Sequence, residues 1–126
     1  MPESALGVWL KALRGERSLR TVAEQSEVDH AYIYRLETGA KESPSSEVLD
    51  KLITGLRPSE RNAEILRFLA SHPNVDPGLA EFAQADDAVT PEELHMLTTV
   101  VNRGTRPDYA TSLARIRRYM REDDGG

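Results

Sequence analysis

The first half of the chain carries apolar residues at helical spacing, in short stretches separated by polar residues and glycine. Residues 18–39 are the most informative stretch, because they predict two short helices joined by a tight turn. Ser18 is a candidate N-cap of the first helix, and Gly39 is typical of the end of the second. The apolar positions predict one compact inner cluster, made of Val22, Val28, Ile33 and Leu36.

Further helices are predicted on both sides of this stretch. Leu6, Leu10 and Leu13 form one stripe over residues 4–14, which predicts a first helix that ends at Gly15. Ser45 opens a fourth helix. Residues 58–71 predict a fifth, whose apolar face completes the core. The pattern therefore predicts an all-α fold with a five-helix N-terminal domain.

The second half of the chain reads as a helical extension. Two prolines within residues 72–77 predict a loop, and we place a domain boundary there, which gives domains 1–72 and 73–126. A short helix is expected after Pro77, followed by helices at about 91–103 and 106–122. The last two carry an apolar stripe that includes Leu97, Val101, Tyr109, Leu113, Ile116 and Met120.

Such a small helix pair rarely folds alone, so the stripe must pack on something. We interpret it as a surface for dimerisation or for a partner protein. The alternative is a helical appendix that closes the core of the same chain. Several arginines line the other side of the last helix, which is most simply a solvated face, with a DNA backbone or an acidic protein surface as alternatives.

The second helix of residues 18–39 has a polar outer face. His30, Ala31, Tyr34 and Arg35 lie opposite the inner cluster. A helix-turn-helix needs this arrangement to place one helix in a DNA major groove. The alternative is structural: Tyr34 packs on a neighbouring helix and Arg35 pairs with a surface acid.

Specific residues at fixed spacing strengthen this interpretation. They are Val22-Ala23, Val28, Ile33, Leu36-Glu37 and Gly39, with Leu6-Gly7 and residues 10–14 upstream and Lys41, Pro44-Ser45, Leu49 and Lys51-Leu52 downstream. In these residues, which span roughly the first 57 positions, the chain resembles the Cro/repressor-type helix-turn-helix family, also called the XRE family. The resemblance implies a lambda-repressor-like domain that binds double-stranded DNA.

The resemblance also implies roles for individual residues. His30, Ala31, Tyr34 and Arg35 are expected to face base edges, and phosphate contacts are expected from Ser18, Arg17, Arg20 and Lys41. Two residues depart from the family pattern. Leu19 stands where a phosphate-binding Gln is frequent, and Glu27 stands where Gly is usual, at a turn position that favours a left-handed backbone. Glu37, facing inward, needs a partner such as Arg14.

Composition narrows the class of protein. The chain of 126 residues has no cysteine, so disulfides and thiolate metal sites are excluded, and the three histidines have no ligand spacing. No apolar run approaches the length of about 18 residues that a membrane span needs, and the N-terminus does not read as a signal peptide. We expect a cytoplasmic protein without cofactor or metal. No set of residues supports catalysis, so an enzyme is not expected.

The net charge of −5 is unusual for a DNA-binding protein, but the acidic residues are concentrated in the middle. Residues 58–104 hold 3 basic and 8 acidic residues, net −5, whereas residues 1–57 hold 8 and 9, net −1. With few cations near the two helices, we predict weak binding by a monomer and dependence on a homodimer.

The leading hypothesis is therefore a sequence-specific transcriptional regulator, most simply a repressor, which binds a pseudo-palindromic operator as a dimer. An alternative is an antitoxin-like or adaptor protein whose C-terminal helices bind a partner protein, with autoregulatory DNA binding. A third hypothesis is a helix-turn-helix that no longer contacts DNA, for which Arg35→Ala changes nothing.

Overall fold

The computed structural model describes residues 3–40, 43–99 and 108–125, with side chains up to Arg121. In these ranges every regular element is an α-helix, which confirms the all-α prediction. The helices are α1 (Ala5–Arg14), α2 (Leu19–Ser26), α3 (His30–Thr38), α4 (Ser46–Leu56), α5 (Glu60–Ser71), α6 (Pro77–Ala85), α7 (Pro91–Leu97) and α8 (Tyr109–Gly125).

Local sequence signals explain where most helices start. A serine hydroxyl accepts a hydrogen bond from a backbone N–H at the N-termini of α1, α2, α4 and α5. At α7, Thr90 and Glu93 form a reciprocal capping box, and Pro91 takes the first helical position. These bonds satisfy N–H groups that have no partner inside the helix. Because each capping residue lies next to the N–H group that it binds, the sequence alone predicts where these helices start.

One hydrophobic core runs through the described helices. α1 lies at its centre and packs against α3, α5 and α6, while α2 packs against α3 and α4. α7 packs on α5, α6 and α8, and α8 also contacts α6 through the rings of Tyr109 and Phe82. The largest fully buried side chains come from both halves of the chain: Trp9, Leu10, Val22, Ile33, Leu36, Leu52, Ile65, Leu66, Leu69, Leu79, Leu94 and Leu97.

Arg61 adds polar contacts between the N-terminal helices and the segment that follows α5. Arg61 of α5 donates to three backbone carbonyls at the end of α6 and in the following loop, and its guanidinium lies 5.7 Å from the centre of the Trp9 ring. The accepting carbonyls, with distances of 2.8–3.0 Å, belong to Ala83, Asp86 and Val89. The predicted boundary at residue 73 stays a prediction, and α6 beyond it packs directly on α1.

The end of α7 and the start of α8 lie at other residues than the sequence predicted. α7 ends at Leu97 and not near residue 103, and the hydroxyls of Thr98 and Thr99 donate to carbonyls one turn back, at 2.6 and 2.7 Å. α8 starts at Tyr109 and not at residue 106, because Asp108 caps it by accepting from Thr111 N–H at 3.1 Å. Residues 100–107 lie outside the described ranges.

Candidate nucleic-acid interface

The turn between α2 and α3 has a left-handed backbone at its first residue. Glu27 has φ 60° and ψ 32°, and its N–H donates to the carbonyl of Ala23 at 2.8 Å. This conformation is the one in which glycine has no steric cost, so a glutamate here carries a small strain. Val28 follows directly and is buried, which fixes the direction in which α3 leaves the turn.

An ion pair ties the end of α3 to the end of α1. The guanidinium of Arg14 donates to both carboxylate oxygens of Glu37, at 2.7 and 2.9 Å. The Glu37 side chain is 5% exposed and that of Arg14 18%. The hydrogen bond to Glu37 raises the pKa of Arg14, against the opposing effect of burial. The pair expected from the sequence is therefore confirmed, and it braces α3 against α1.

Two glycines let helices approach each other at this site. A Cβ on Gly7 would lie 2.5 Å from the carbonyl oxygen of Glu37, where α1 crosses α3. A Cβ on Gly55 would lie 2.6 Å from Cα of Ser26, where α4 crosses α2. Backbone atoms cannot give way as a flexible side chain can. Both positions therefore require glycine, and the orientation of the α2–α3 unit depends on them.

The outer face of α3 carries the four residues expected to face bases. His30, Ala31, Tyr34 and Arg35 are all exposed and lie on the side away from buried Ile33 and Leu36. Tyr34 is 55% exposed, one of the two large hydrophobic side chains that stand out from the described surface.

The charged groups on this face are accessible. No carboxylate of the described side chains lies within ion-pair distance of Arg35. His30 Nδ1 lies 3.6 Å from Asp29 Oδ1, and both side chains are more than half exposed. The structure therefore brings the four residues together on one accessible, polar helix face.

The predicted phosphate-contacting residues have different surroundings. Ser18 caps α2, its hydroxyl accepting from Thr21 N–H at 3.0 Å, and Arg20 is exposed beside it. Arg17 instead points inward and uses its guanidinium to bind the ends of α1 and α4. Its acceptors are the carbonyls of Leu13, Arg14, Gly55 and Leu56 and the side-chain oxygen of Gln25. Lys41 lies outside the described residues.

A groove of about 590 Å³ runs between α1 and α3 and adds one cation to this surface. Lys11, Tyr34 and Arg35 are among its lining residues, and all three are exposed. Lys11 lies off the buried stripe of α1, so its ammonium is available to a ligand placed against α3. Among the described residues, Lys11 and Lys51 are the cations that share a groove with Arg35, and Arg20 is exposed on α2.

The apolar stripe of the C-terminal helices packs on the chain itself. Leu97 is 1% and Leu113 3% exposed, and Tyr109 and Ile116 are partly buried against the same core. Met120 is partly buried, and Val101 lies outside the described residues. The packing agrees with the interpretation in which the last helices close the core of their own chain, and it leaves little of this stripe to a partner.

Polar contacts hold α8 in place. Arg117 donates to both carboxylate oxygens of Glu93, at 2.8 and 3.1 Å, and this bond holds the pKa of Glu93 below its usual value although the side chain is partly buried. The hydroxyl of Tyr109 donates to Asp76 Oδ2 at 2.5 Å. Burial raises the pKa of Tyr109, and the bond to Asp76 raises it further.

The described part of the chain contains neither a metal site nor a membrane-spanning helix. No group of three or more His, Asp or Glu side chains there is arranged to hold a metal ion. None of the described helices combines the length and apolar character needed to cross a membrane.

Residues 5–64 match the family model described as a helix-turn-helix domain, and these residues contain α1 to α4 and the first part of α5. No curated protein matches the chain. The matched segment includes both helices that form the exposed polar face and the ion pair that braces it. A domain of this kind supports DNA binding and a regulatory role. Residues 5–64 of this chain therefore match a helix-turn-helix domain, in agreement with the predicted resemblance to the Cro/repressor type.

Proposed function

We propose that this protein is a sequence-specific transcriptional regulator that inserts α3 into the major groove of double-stranded DNA. The observation that carries the proposal is the outer face of α3. It is exposed and polar, and it rests on a buried scaffold that the Arg14–Glu37 ion pair holds in place. A rigid helix with accessible donors and acceptors on one face is what base reading requires.

Each residue of this face matches a known type of base contact. Arg35 suits a bidentate pair with the O6 and N7 of guanine. The methyl group of Ala31 suits contact with the methyl group of thymine. His30 can donate or accept at a base edge, and Tyr34 has the length to reach a base or a phosphate.

Contacts to phosphates position this face on the duplex. Arg20, Lys11 and the N-terminus of α2 at Ser18 supply them on the described surface, and Lys41 follows α3 in the sequence. This is a small number of cations for a chain of net charge −5, so a single domain gains little from counterion release. We therefore propose binding as a dimer to a pseudo-palindromic operator, and repression by occlusion of polymerase.

The role of an antitoxin-like or adaptor protein has less support. It rested on the acidic middle of the chain and on the last helices, whose apolar stripe packs on the core of its own chain. We propose no catalytic activity.

Selection of bound DNA from a random pool tests the proposal. The full chain, the double variant His30→Ala/Arg35→Ala and the control Arg67→Ala are compared at two salt concentrations. Arg67 is an exposed arginine on α5, away from α3. We expect the wild type and the control to enrich the same two-fold-symmetric site and the double variant to lose it. No enrichment, or enrichment that survives the double substitution, refutes direct reading by α3.

A further inference from the structure

α8 has a basic outer face that the described part of the chain leaves uncovered. Arg115, Arg118 and Tyr119 follow each other at helical spacing on the side opposite Leu113, and Arg121 is exposed beside them. Tyr119 is 69% exposed, more than any other large hydrophobic side chain described. No carboxylate of the described side chains lies within ion-pair distance of these arginines, whereas Arg117 is paired with Glu93.

The composition of this face is that of a protein interface. Arginine and tyrosine are the residue types most enriched at the energetic centres of such interfaces. Its position also argues against DNA as the ligand. α3 packs on α1, α1 packs on α6, and α8 packs on α7 and contacts α6 through the rings of Tyr109 and Phe82. The contacts that lead from α3 to α8 therefore pass through α1 and α6.

Two exposed glutamates on α5 carry the opposite charge, and Arg67, which follows on the same side of the helix, is paired with Asp50. Glu60 and Glu64 are both exposed, are one helical turn apart, and have no ion-pair partner among the described side chains. They begin the segment of residues 58–104, whose net charge is −5. Side chains at i, i+3 and i, i+4 on a helix are about 5–6 Å apart. The spacing of Arg115 and Arg118 therefore matches that of the two glutamates.

We infer that the basic outer face of α8 docks on the Glu60–Glu64 face of α5 in a second copy of this chain, and that the second copy returns the same contact. The inference rests on the proposed function, since it supplies the dimer that reads two half-sites. Each contact pairs two arginines with two glutamates and covers part of Tyr119. An interface of exposed charges is weak and salt-dependent, and binding two half-sites on one DNA strengthens it through high effective concentration.

Substitutions that reverse the charge of each face, made in the full chain, test the inference. One variant is Arg115→Glu/Arg118→Glu, the other is Glu60→Arg/Glu64→Arg, and Lys11→Glu/Lys51→Glu, measured without DNA, is the control of equal charge change, because both lysines lie beside α3. Sedimentation equilibrium at about 100 µM protein measures the oligomer, at about 50 and about 500 mM salt. We expect the wild type and the control to dimerise at low salt. Each reversed variant should associate at least roughly tenfold more weakly, because like charges then face each other.

Mixing the two reversed variants gives the decisive result. In a heterodimer both contacts again join opposite charges, so we expect the mixture to recover the wild-type dimer. Failure of the mixture to associate overturns the inference, as does a wild type that stays monomeric at low salt with and without operator DNA. If a reversed variant loses its thermal unfolding transition, the matching glutamine variant, Arg115→Gln/Arg118→Gln or Glu60→Gln/Glu64→Gln, replaces it and is expected to show a smaller loss.

Binding to a DNA duplex with one half-site separates this inference from the proposed function. We expect the reversed variants to keep the wild-type affinity for a single half-site, because α3 is unchanged. A loss confined to the α8 variant would mean that α8 contacts phosphate, which overturns the inference and leaves DNA reading intact. A wild type that dimerises but binds no DNA would overturn the proposed function and leave the interface standing.

Discussion

Replacing Arg14 by methionine keeps much of the side chain's length but leaves the carboxylate of Glu37 buried without a cation. Glu37 is 5% exposed and accepts two charge-assisted hydrogen bonds from Arg14, at 2.7 and 2.9 Å. Removing one partner of a buried ion pair costs roughly 3–5 kcal/mol. We therefore expect Arg14→Met to lower the free energy of unfolding by about 4 kcal/mol, a large share of the roughly 5–15 kcal/mol typical of a domain.

Replacing the other partner, Glu37, by glutamine should lower the free energy of unfolding by less. In Glu37→Gln, Arg14 is left without its charge partner but is 18% exposed and still donates to the carbonyl of Arg17, at 2.8 Å. The amide oxygen of glutamine can also accept one of the two original bonds. We expect a loss of about 1–2 kcal/mol for this variant. The double variant Arg14→Met/Glu37→Gln buries no unpaired charge, so its loss should be about 2 kcal/mol smaller than the sum of the single losses.

Urea unfolding of the full chain, followed by far-UV circular dichroism, measures all three free energies. Arg67→Met is the matched control, because Arg67 forms a 2.9 Å ion pair with Asp50 in which both side chains are more than half exposed. An exposed pair contributes little, so the control should stay close to the wild type. The reasoning is refuted if Arg14→Met costs no more than the control, or if the losses of the single variants simply add.

Four further substitutions test other parts of the structure. Arg61→Met removes the guanidinium that donates to three carbonyls of α6 and its following loop, and we expect a loss of about 3 kcal/mol in urea unfolding; an unchanged midpoint would contradict the bridging role. Gly55→Ala forces a Cβ to within 2.6 Å of Ser26 Cα and should cost about 2–3 kcal/mol by the same measurement. Glu27→Gly removes left-handed strain and should stabilise the chain by about 0.5 kcal/mol, seen as a higher Tm; a lower Tm would count against strain at this turn. The pKa of Glu93 is lowered in the folded state, so its stabilising effect is present above the ordinary glutamate pKa and is lost as the pH falls through the lowered value; Glu93→Gln should show a smaller fall in Tm between neutral and acidic pH than the wild type.

Most of the helices and the outer face of α3 could be predicted from the sequence because their signals are local. Serine and threonine caps mark the starts of α1, α2, α4, α5 and α7, since a cap bonds only to a backbone N–H two or three residues away. Helical spacing placed Ala31 and Arg35 on the face opposite Ile33. The family pattern also pointed to Glu27, one of the two non-glycine residues with positive φ among the described residues; Arg57, the other, carried no such signal.

Tertiary structure decided the features that join distant segments. The inward turn of Arg17 depends on carbonyls that α4 brings to the end of α1, and the role of Arg61 depends on the path of the chain after α6. Gly7 and Gly55 matter only because other helices approach them closely. The apolar stripe of α8 looked the same in sequence whether it covered its own chain or a partner. Periodicity establishes that a helix has an apolar face, but only the packing of the other helices determines what covers that face.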